Sequence, residues 1–272
     1  VANEIKKRNK MNEILFIGSN ERMEMKIIPN HNFKIIGLWI SGIKRSSLWK
    51  NIIFFGIPFV LKNFLLPIKL VYSIIRSLFI INSFKPDIVI GFGGYTTGPS
   101  LIASILTGTS SAIQEQNSYP GITNRILGKK VNLVFVAFEN LERFFSKKLF
   151  CFGNPVRSNL LNISKLKSDA IKFFGLNKNK KTLLLMGGSL GSKTINDSVM
   201  NNLSIIKNSP FQILWQTGKN YYDQILSKKD LIPSNIIFLP FIREMNYAYA
   251  SSDIIISRAG ALAISELCVI GK

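Results

Sequence analysis

Acid is scarce in this chain. Its 272 residues hold 15 Asp and Glu against 35 Lys and Arg, a formal net charge of +20. Residues 25–86 contain no Asp or Glu at all. Cysteine and histidine are scarcer still, with only Cys151, Cys268 and His31 present. A zinc site needs several such ligands at close spacing, so no metal site is expected. Two isolated thiols suit a reducing cytosol better than a disulfide framework. No Asp-x-Asp pair occurs, which removes the usual carboxylate cradle for a divalent ion that holds a diphosphate. No unbroken apolar run reaches the ~18 residues of a membrane-crossing helix. Residues 1–10 are polar and helix-like, unlike a secretory signal.

The basic excess is spread over the chain. Residues 1–156 carry 20 basic and 8 acidic side chains, and the remainder 15 and 7. A nucleic-acid footprint is normally concentrated on one helix or face, so no nucleic-acid partner is expected. Richness in Lys, Asn and Ile, as an AT-biased genome would produce, accounts for part of the charge.

What the chain does have is a recurrence of short apolar runs. They fall at residues 13–17, 88–91, 112–114, 131–136, 183–186, 212–215, 236–239 and 254–257. Stretches of helical length lie between most of them, which predicts an α/β class. With 47% hydrophobic residues the chain can bury two cores of ordinary size. Two glycine-rich turns, Gly91-Phe92-Gly93-Gly94-Tyr95 and Gly187-Gly188-Ser189-Leu190-Gly191, each follow such a run. A glycine turn after a buried parallel strand lets the backbone approach a ligand, and the next helix start offers free N–H groups to an anion. Two such turns predict twin doubly wound α/β lobes facing a shared cleft. Gly153-Asn154-Pro155-Val156-Arg157 reads as the boundary, dividing the chain into residues 1–156 and 157–272.

Candidate site residues cluster at strand ends. The run Gln114-Glu115-Gln116-Asn117 places polar side chains at a carboxyl end, where open α/β sheets bind ligands. Glu115 is either a general base or a partner for a sugar hydroxyl. Arg157 suits a phosphate or a surface ion pair. Ser189 is placed to cap the following helix or to bond a phosphate oxygen. In Arg258-Ala259-Gly260-Ala261-Leu262-Ala263-Ile264-Ser265-Glu266, small residues at a helix start admit a ligand, and Glu266 suits a ribose.

One segment is both basic and greasy. Residues 51–84 are strongly apolar, while Lys44, Arg45, Lys50, Lys62, Lys69, Arg76 and Lys85 punctuate residues 44–85. Lys62, Lys69 and Arg76 recur every seven residues and would line one stripe of a helix, though Pro58 and Pro67 interrupt it. Two readings stand: a core helix with solvated lysines, or a helix pair lying on an anionic inner leaflet. The acid-free stretch favours the second.

Taken in order, Lys85-Pro86-Asp87 through Gly98-Pro99, Glu115-Gln116-Asn117 with Pro120-Gly121-Ile122-Thr123-Asn124, residues 153–157, residues 187–191, Trp215-Gln216-Thr217-Gly218-Lys219 and residues 257–267 resemble the MurG family of peptidoglycan N-acetylglucosaminyltransferases. The resemblance spans almost the whole chain. It implies a GT-B fold and an inverting, metal-independent transfer of GlcNAc from UDP-GlcNAc to the 4-hydroxyl of undecaprenyl-pyrophosphoryl-MurNAc-pentapeptide (lipid I to lipid II). No cofactor is implied. By this likeness the UDP-GlcNAc contacts fall on Asn117, Arg157, Ser189, the Ile242 backbone at the uracil edge, and Ala261, Leu262, Ala263, Ile264, Ser265 and Glu266. Gly93, Gly94, Tyr95 and Glu115 fall on the acceptor side. The lipid-linked acceptor implies a peripheral position on the cytoplasmic face of the inner membrane.

This chain departs from the family pattern at Gln114 (usually His), Leu190 (Gln), Ala263 (Thr) and Arg243 (Asp). The family also opens with a strand and a Gly-rich loop bearing a His proposed as base. It continues past the position of Lys272 with further strands, a Gln pair at the donor sugar and a returning helix. The resemblance therefore implies a fragment lacking both ends, inactive by itself. Two further functions are weighed: a UDP-GlcNAc 2-epimerase with the same donor lobe, and a non-catalytic, membrane-recruited glycosyltransferase subunit.

Overall fold

The computed structural model describes residues 1–42 and 65–272. Lys44, Arg45, Lys50, Pro58 and Lys62, with the apolar residues among them, lie outside the described residues. The chain divides into two compact units, Val1–Asn154 and Pro155–Lys272.

In the first unit, strands β1 (Leu15–Ser19) and β2 (Lys34–Leu38) pair in parallel. A second parallel sheet has the order β3-β4-β5-β6, built from Ile88–Gly91, Ser110–Glu115, Leu133–Val136 and Phe150–Cys151. Helix Thr97–Leu106 touches both β1 and β3. Its Leu101 joins Ile113, Val134 and Val136 in a core completed by Leu127, Leu141 and Phe145. Strand β2 is not among the apolar runs because Lys34 and Gly37 dilute it. Strand β6 is only two residues long, too short to show a period.

In the second unit, β7 (Lys181–Met186), β8 (Phe211–Gln216), β9 (Ile236–Leu239) and β10 (Ile254–Ser257) form one parallel sheet in the order β10-β7-β8-β9. The apolar runs of β7 and β8 serve two cores at once, as a strand buried on both faces must. Leu184, Met186 and Leu214 face Tyr249, Ala248 and Leu160. Leu185, Ile213 and Trp215 face Val199, Ile206 and Ile225. Trp215 is fully buried, and its indole N–H donates to Asn196 Oδ1 at 3.0 Å. Asn196 in turn donates from Nδ2 to the Thr217 carbonyl at 2.9 Å, tying helix Lys193–Asn201 to the end of β8. Ser192, not Ser189, is the N-cap of that helix, and no side chain caps it.

The chain order reverses between β7 and β10. Ligands in open α/β sheets bind at such a switch point, beyond the carboxyl ends of the strands. Met186 and Ser257, the last residues of these strands, lie side by side in register. The turns that follow therefore start at the same level.

Gly218 shows how tightly this end is built. It has a φ of +84°, and a Cβ there would meet the Gly191 nitrogen at 2.1 Å. Gly218→Ala should lower the unfolding free energy of the second unit by about 2 kcal/mol or more, read as a shift in the urea midpoint. An unchanged midpoint would mean that the two turns are free to separate.

Candidate functional site

Two strand-end loops of the second unit are clipped together by one buried amide. Gln216, the last residue of β8, donates from Nε2 to the Gly188 carbonyl at 3.0 Å. Its Oε1 accepts the Ile242 N–H at 2.9 Å. Gly188 also accepts the Gly191 N–H at 3.1 Å, closing the turn. Ser189 and Leu190 sit exposed at its tip. The clip changes the expectation for Ile242. Its N–H is already engaged by Gln216, and the residue is buried.

Beside this turn, the chain leaves β10 through Arg258 and Ala259 to Gly260, the N-cap of helix Ala261–Ile270. No side chain caps this helix. The first-turn N–H groups of Ala261, Leu262 and Ala263 therefore lack intrahelical partners and carry the positive end of the dipole. The small side chains of Ala261 and Ala263 keep that tip open. Ser265 turns back, its hydroxyl donating to the Ala261 carbonyl at 2.9 Å. Ile264 and Leu262 stay partly exposed, so this stretch contributes backbone more than side chains. Ala263 brings no hydroxyl here; its methyl packs on the core instead.

Glu266, on the same helix, is buried at 8% exposure and has a partner for each oxygen. Arg157 Nε lies 3.4 Å from Oε1. The Tyr249 hydroxyl donates to Oε2 at 2.9 Å. Burial, then the charge of Glu266 and the hydrogen bond to it, hold the Tyr249 phenol above its ordinary range, opposed by Arg157. The phenol therefore stays protonated and acts as a donor. Arg157, half exposed, is thus both an ion-pair partner and a cation at the mouth of this site.

In the first unit, Glu115 ends β4 and is 2% exposed. Its Oε1 accepts the Asn117 backbone N–H at 2.9 Å and Asn117 Nδ2 at 3.0 Å. Its Oε2 accepts the Gly121 N–H at 3.1 Å and Asn124 Nδ2 at 2.8 Å. A carboxylate that satisfies four donors from its own loop has no vacant lone pair directed at a substrate proton. Glu115 is thereby corrected from base to loop organiser. Asn117 joins the same network through its backbone N–H and Nδ2, and the residue stays exposed.

Asn124 also abuts the first glycine turn, where a Cβ on Gly93 (φ +85°) would meet its Nδ2 at 3.2 Å. Gly94 shares the positive φ, at +77°. Tyr95 accepts a hydrogen bond from Arg22 Nε at 2.8 Å, and the guanidinium lies 5.6 Å from the ring centroid. Gly93, Gly94, Tyr95, Glu115 and Asn117 thus gather at one sheet end of the first unit. Arg157, Ser189, Ile242, Ala261 and Glu266 gather at one sheet end of the second.

Gln216 stands in the Trp215–Lys219 motif of the sequence without a role of its own, and Tyr249 stands in none. The polar end of an apolar strand, the signal used for residues 114–117, is also present at Trp215-Gln216-Thr217 and could have found Gln216. Tyr249 lies within a small-residue helix and gives no comparable signal.

Comparison with known proteins bears on both units. The family model for the glycosyltransferase family 28 N-terminal domain matches residues 1–136, and that for its C-terminal domain matches residues 182–272. The UDP-N-acetylglucosamine--N-acetylmuramyl-(pentapeptide) pyrophosphoryl-undecaprenol N-acetylglucosamine transferase of Christiangramia forsetii is 46% identical over 100% of this chain and 70% of its own length. The protein of that name from Cytophaga hutchinsonii is 45% identical with the same coverage. The crystal structure of Acinetobacter baumannii MurG superposes with a TM-score of 0.66 at 26% identity, covering 99% of this chain and 71% of its own. A UDP-GlcNAc 2-epimerase from Neisseria meningitidis shares the fold, with a TM-score of 0.62 at 16% identity, covering 98% of this chain and 75% of its own.

Glu115→Gln replaces an acceptor with an amide that points N–H at N–H. It should lower the stability of the first unit by about 2 kcal/mol in urea unfolding followed by circular dichroism. A stable variant that loses only catalytic rate would restore the base.

Proposed function

Because this chain belongs to glycosyltransferase family 28, we propose that it transfers GlcNAc from UDP-GlcNAc to the MurNAc hydroxyl of undecaprenyl-linked lipid I, giving lipid II for peptidoglycan. The observation that carries the reading is the pairing, in one unit, of Arg157 with Glu266, on a helix whose N-terminus no side chain caps. A nucleotide sugar presents one group for each. The diphosphate meets Arg157, the turn at Ser189 and the open tip at Ala261 to Ala263. The ribose diol meets the Glu266 carboxylate, and the uracil meets the Ile242 carbonyl. The whole-chain likeness to curated transferases supports this substrate.

In the reaction, the acceptor hydroxyl attacks the anomeric carbon from the face opposite UDP. The carbon–oxygen bond to the diphosphate breaks and the hydroxyl proton leaves to a base. Stabilising the departing charge is the work assigned here to Arg157 and the helix tips. The Gly93-Gly94-Tyr95 turn and the loop held by Glu115 are assigned to the acceptor.

Arg157→Ala should weaken UDP binding about tenfold in a calorimetric titration, the loss of one charge-assisted contact. An unchanged Kd removes Arg157 from the donor site. Protein expressed from the whole coding sequence, given radiolabelled UDP-GlcNAc and lipid I, should yield labelled lipid II. Formation of UDP-ManNAc without lipid acceptor would point to the 2-epimerase instead.

The acceptor is a lipid, and helix Leu66–Phe84 supports a peripheral place on the cytoplasmic face of the inner membrane. By length and hydropathy it is apolar enough to cross a bilayer, yet only 22% of its most apolar window is buried. Ile80 and Ile81 near its end are buried, Ile80 in a core with Leu38 and Ile40, and Ser73 and Ser77 also face inward, while Ile68, Val71, Tyr72, Ile75 and Phe79 are exposed. Pro67 stands at its first turn and leaves it unbroken, so Lys69 and Arg76 share one continuous helix. Lys69 also lies 5.2 Å from the ring centroid of Trp39. Apolar side chains dipping below anionic headgroups, with these cations at their level, fit the face. The protein should sediment with phosphatidylglycerol vesicles and less with phosphatidylcholine, and Lys69→Ala/Arg76→Ala should weaken binding about tenfold or more. Binding indifferent to lipid charge and to this pair would remove the membrane from the account.

A further inference from the structure

We infer that Tyr249 is a positioning residue for donor recognition: its hydroxyl holds one oxygen of Glu266 so that the carboxylate is aimed at the ribose diol before the donor arrives. The inference rests on reading Glu266 as the ribose partner, and it adds a residue that the family comparison does not supply.

The geometry comes from two neighbouring helices. Glu266 has a long side chain that would sample several rotamers if unheld. Tyr249 comes from helix Met245–Ser251, is 1% exposed, and is locked in the core with Leu184 and Met186. Its hydroxyl reaches Oε2 at 2.9 Å, with Met186 Sδ the other neighbour at 4.0 Å. A rigid donor on one oxygen fixes the plane of the carboxylate. One lone pair of Oε2 and both of Oε1 remain, enough for two vicinal O–H donors.

The other partner has the opposite character. Arg157 is half exposed, sits at 3.4 Å from Oε1 and engages it through Nε. A partly solvated pair of this kind is weak and exchangeable. A diphosphate offers Arg157 a stronger anion, and its departure uncovers Oε1 for the sugar. Tyr249 is therefore the permanent partner and Arg157 the temporary one. Ordering the carboxylate in advance removes that cost from donor binding.

Ribose discrimination tests this, because a structural defect alone does not move it. The wild-type protein should bind UDP about tenfold more tightly than 2′-deoxy-UDP in calorimetric titrations. Tyr249→Phe keeps the volume and removes only the hydroxyl, and should reduce that ratio to about threefold. Glu266→Asp, which keeps the charge but withdraws it from Tyr249, should do the same, and Glu266→Ala should bring the ratio to about one. The titration stoichiometry counts folded molecules, so partial unfolding lowers the number of sites and not the ratio of affinities. A full ratio in Tyr249→Phe, together with a lost ratio in Glu266→Ala, overturns the positioning role alone. Discrimination that survives Glu266→Ala, or that is missing from the wild type, overturns the ribose assignment beneath it.

Discussion

Met186 lies beside Ser257 in a parallel register, and the loop arrangement at that end of the second unit follows from that pairing. Adjacent parallel strands that end together must send their next segments out at the same height. Because the chain order reverses there, the two segments diverge and leave their helix tips open between them. Gln216 then fixes the spacing by bonding the Gly188 carbonyl and the Ile242 N–H. Gly218 lets the next strand-end loop lie against Gly191 without a side chain between them. The shape of this end of the second unit is thus an outcome of sheet order and backbone contact. Two of its side chains of opposite charge, Arg157 and Glu266, lie 3.4 Å apart.

The first unit uses charge differently. Its one buried carboxylate, Glu115, is consumed in shaping a loop. Its exposed surface on helix Leu66–Phe84 is apolar with basic punctuation, while Ser73, Ser77, Ile80 and Ile81 face the interior. An enzyme that takes one substrate from water and the other from a bilayer needs both kinds of surface.

Much of the fold was legible because buried parallel strands are nearly continuous apolar runs. Residues 183–186, 236–239 and 254–257 stood out for that reason, and the glycine turns marked where two of the strands end. β2 and β6 did not stand out, one diluted by Lys34 and Gly37 and the other only two residues long. Of the candidate site residues, Arg157 and Glu266 proved to be neighbours, and the small residues from Ala259 to Ala261 proved to lead into a helix start that no side chain caps. The site was not legible where tertiary contact decides a role. Glu115 has the composition of a base, and only the four donors around it reveal a scaffold. Tyr249 looks like an ordinary core aromatic until its hydroxyl is found on Glu266. Ile242 is a buried apolar residue whose backbone N–H proves to be bonded by Gln216.

The most direct test of the central claim is amide hydrogen exchange of the protein with and without saturating UDP. The account predicts slowed exchange in the two neighbouring segments, residues 187–192 and 258–264, where exposed N–H groups would bond the diphosphate. Unchanged exchange in both segments, with protection confined to other parts of the chain, would contradict it.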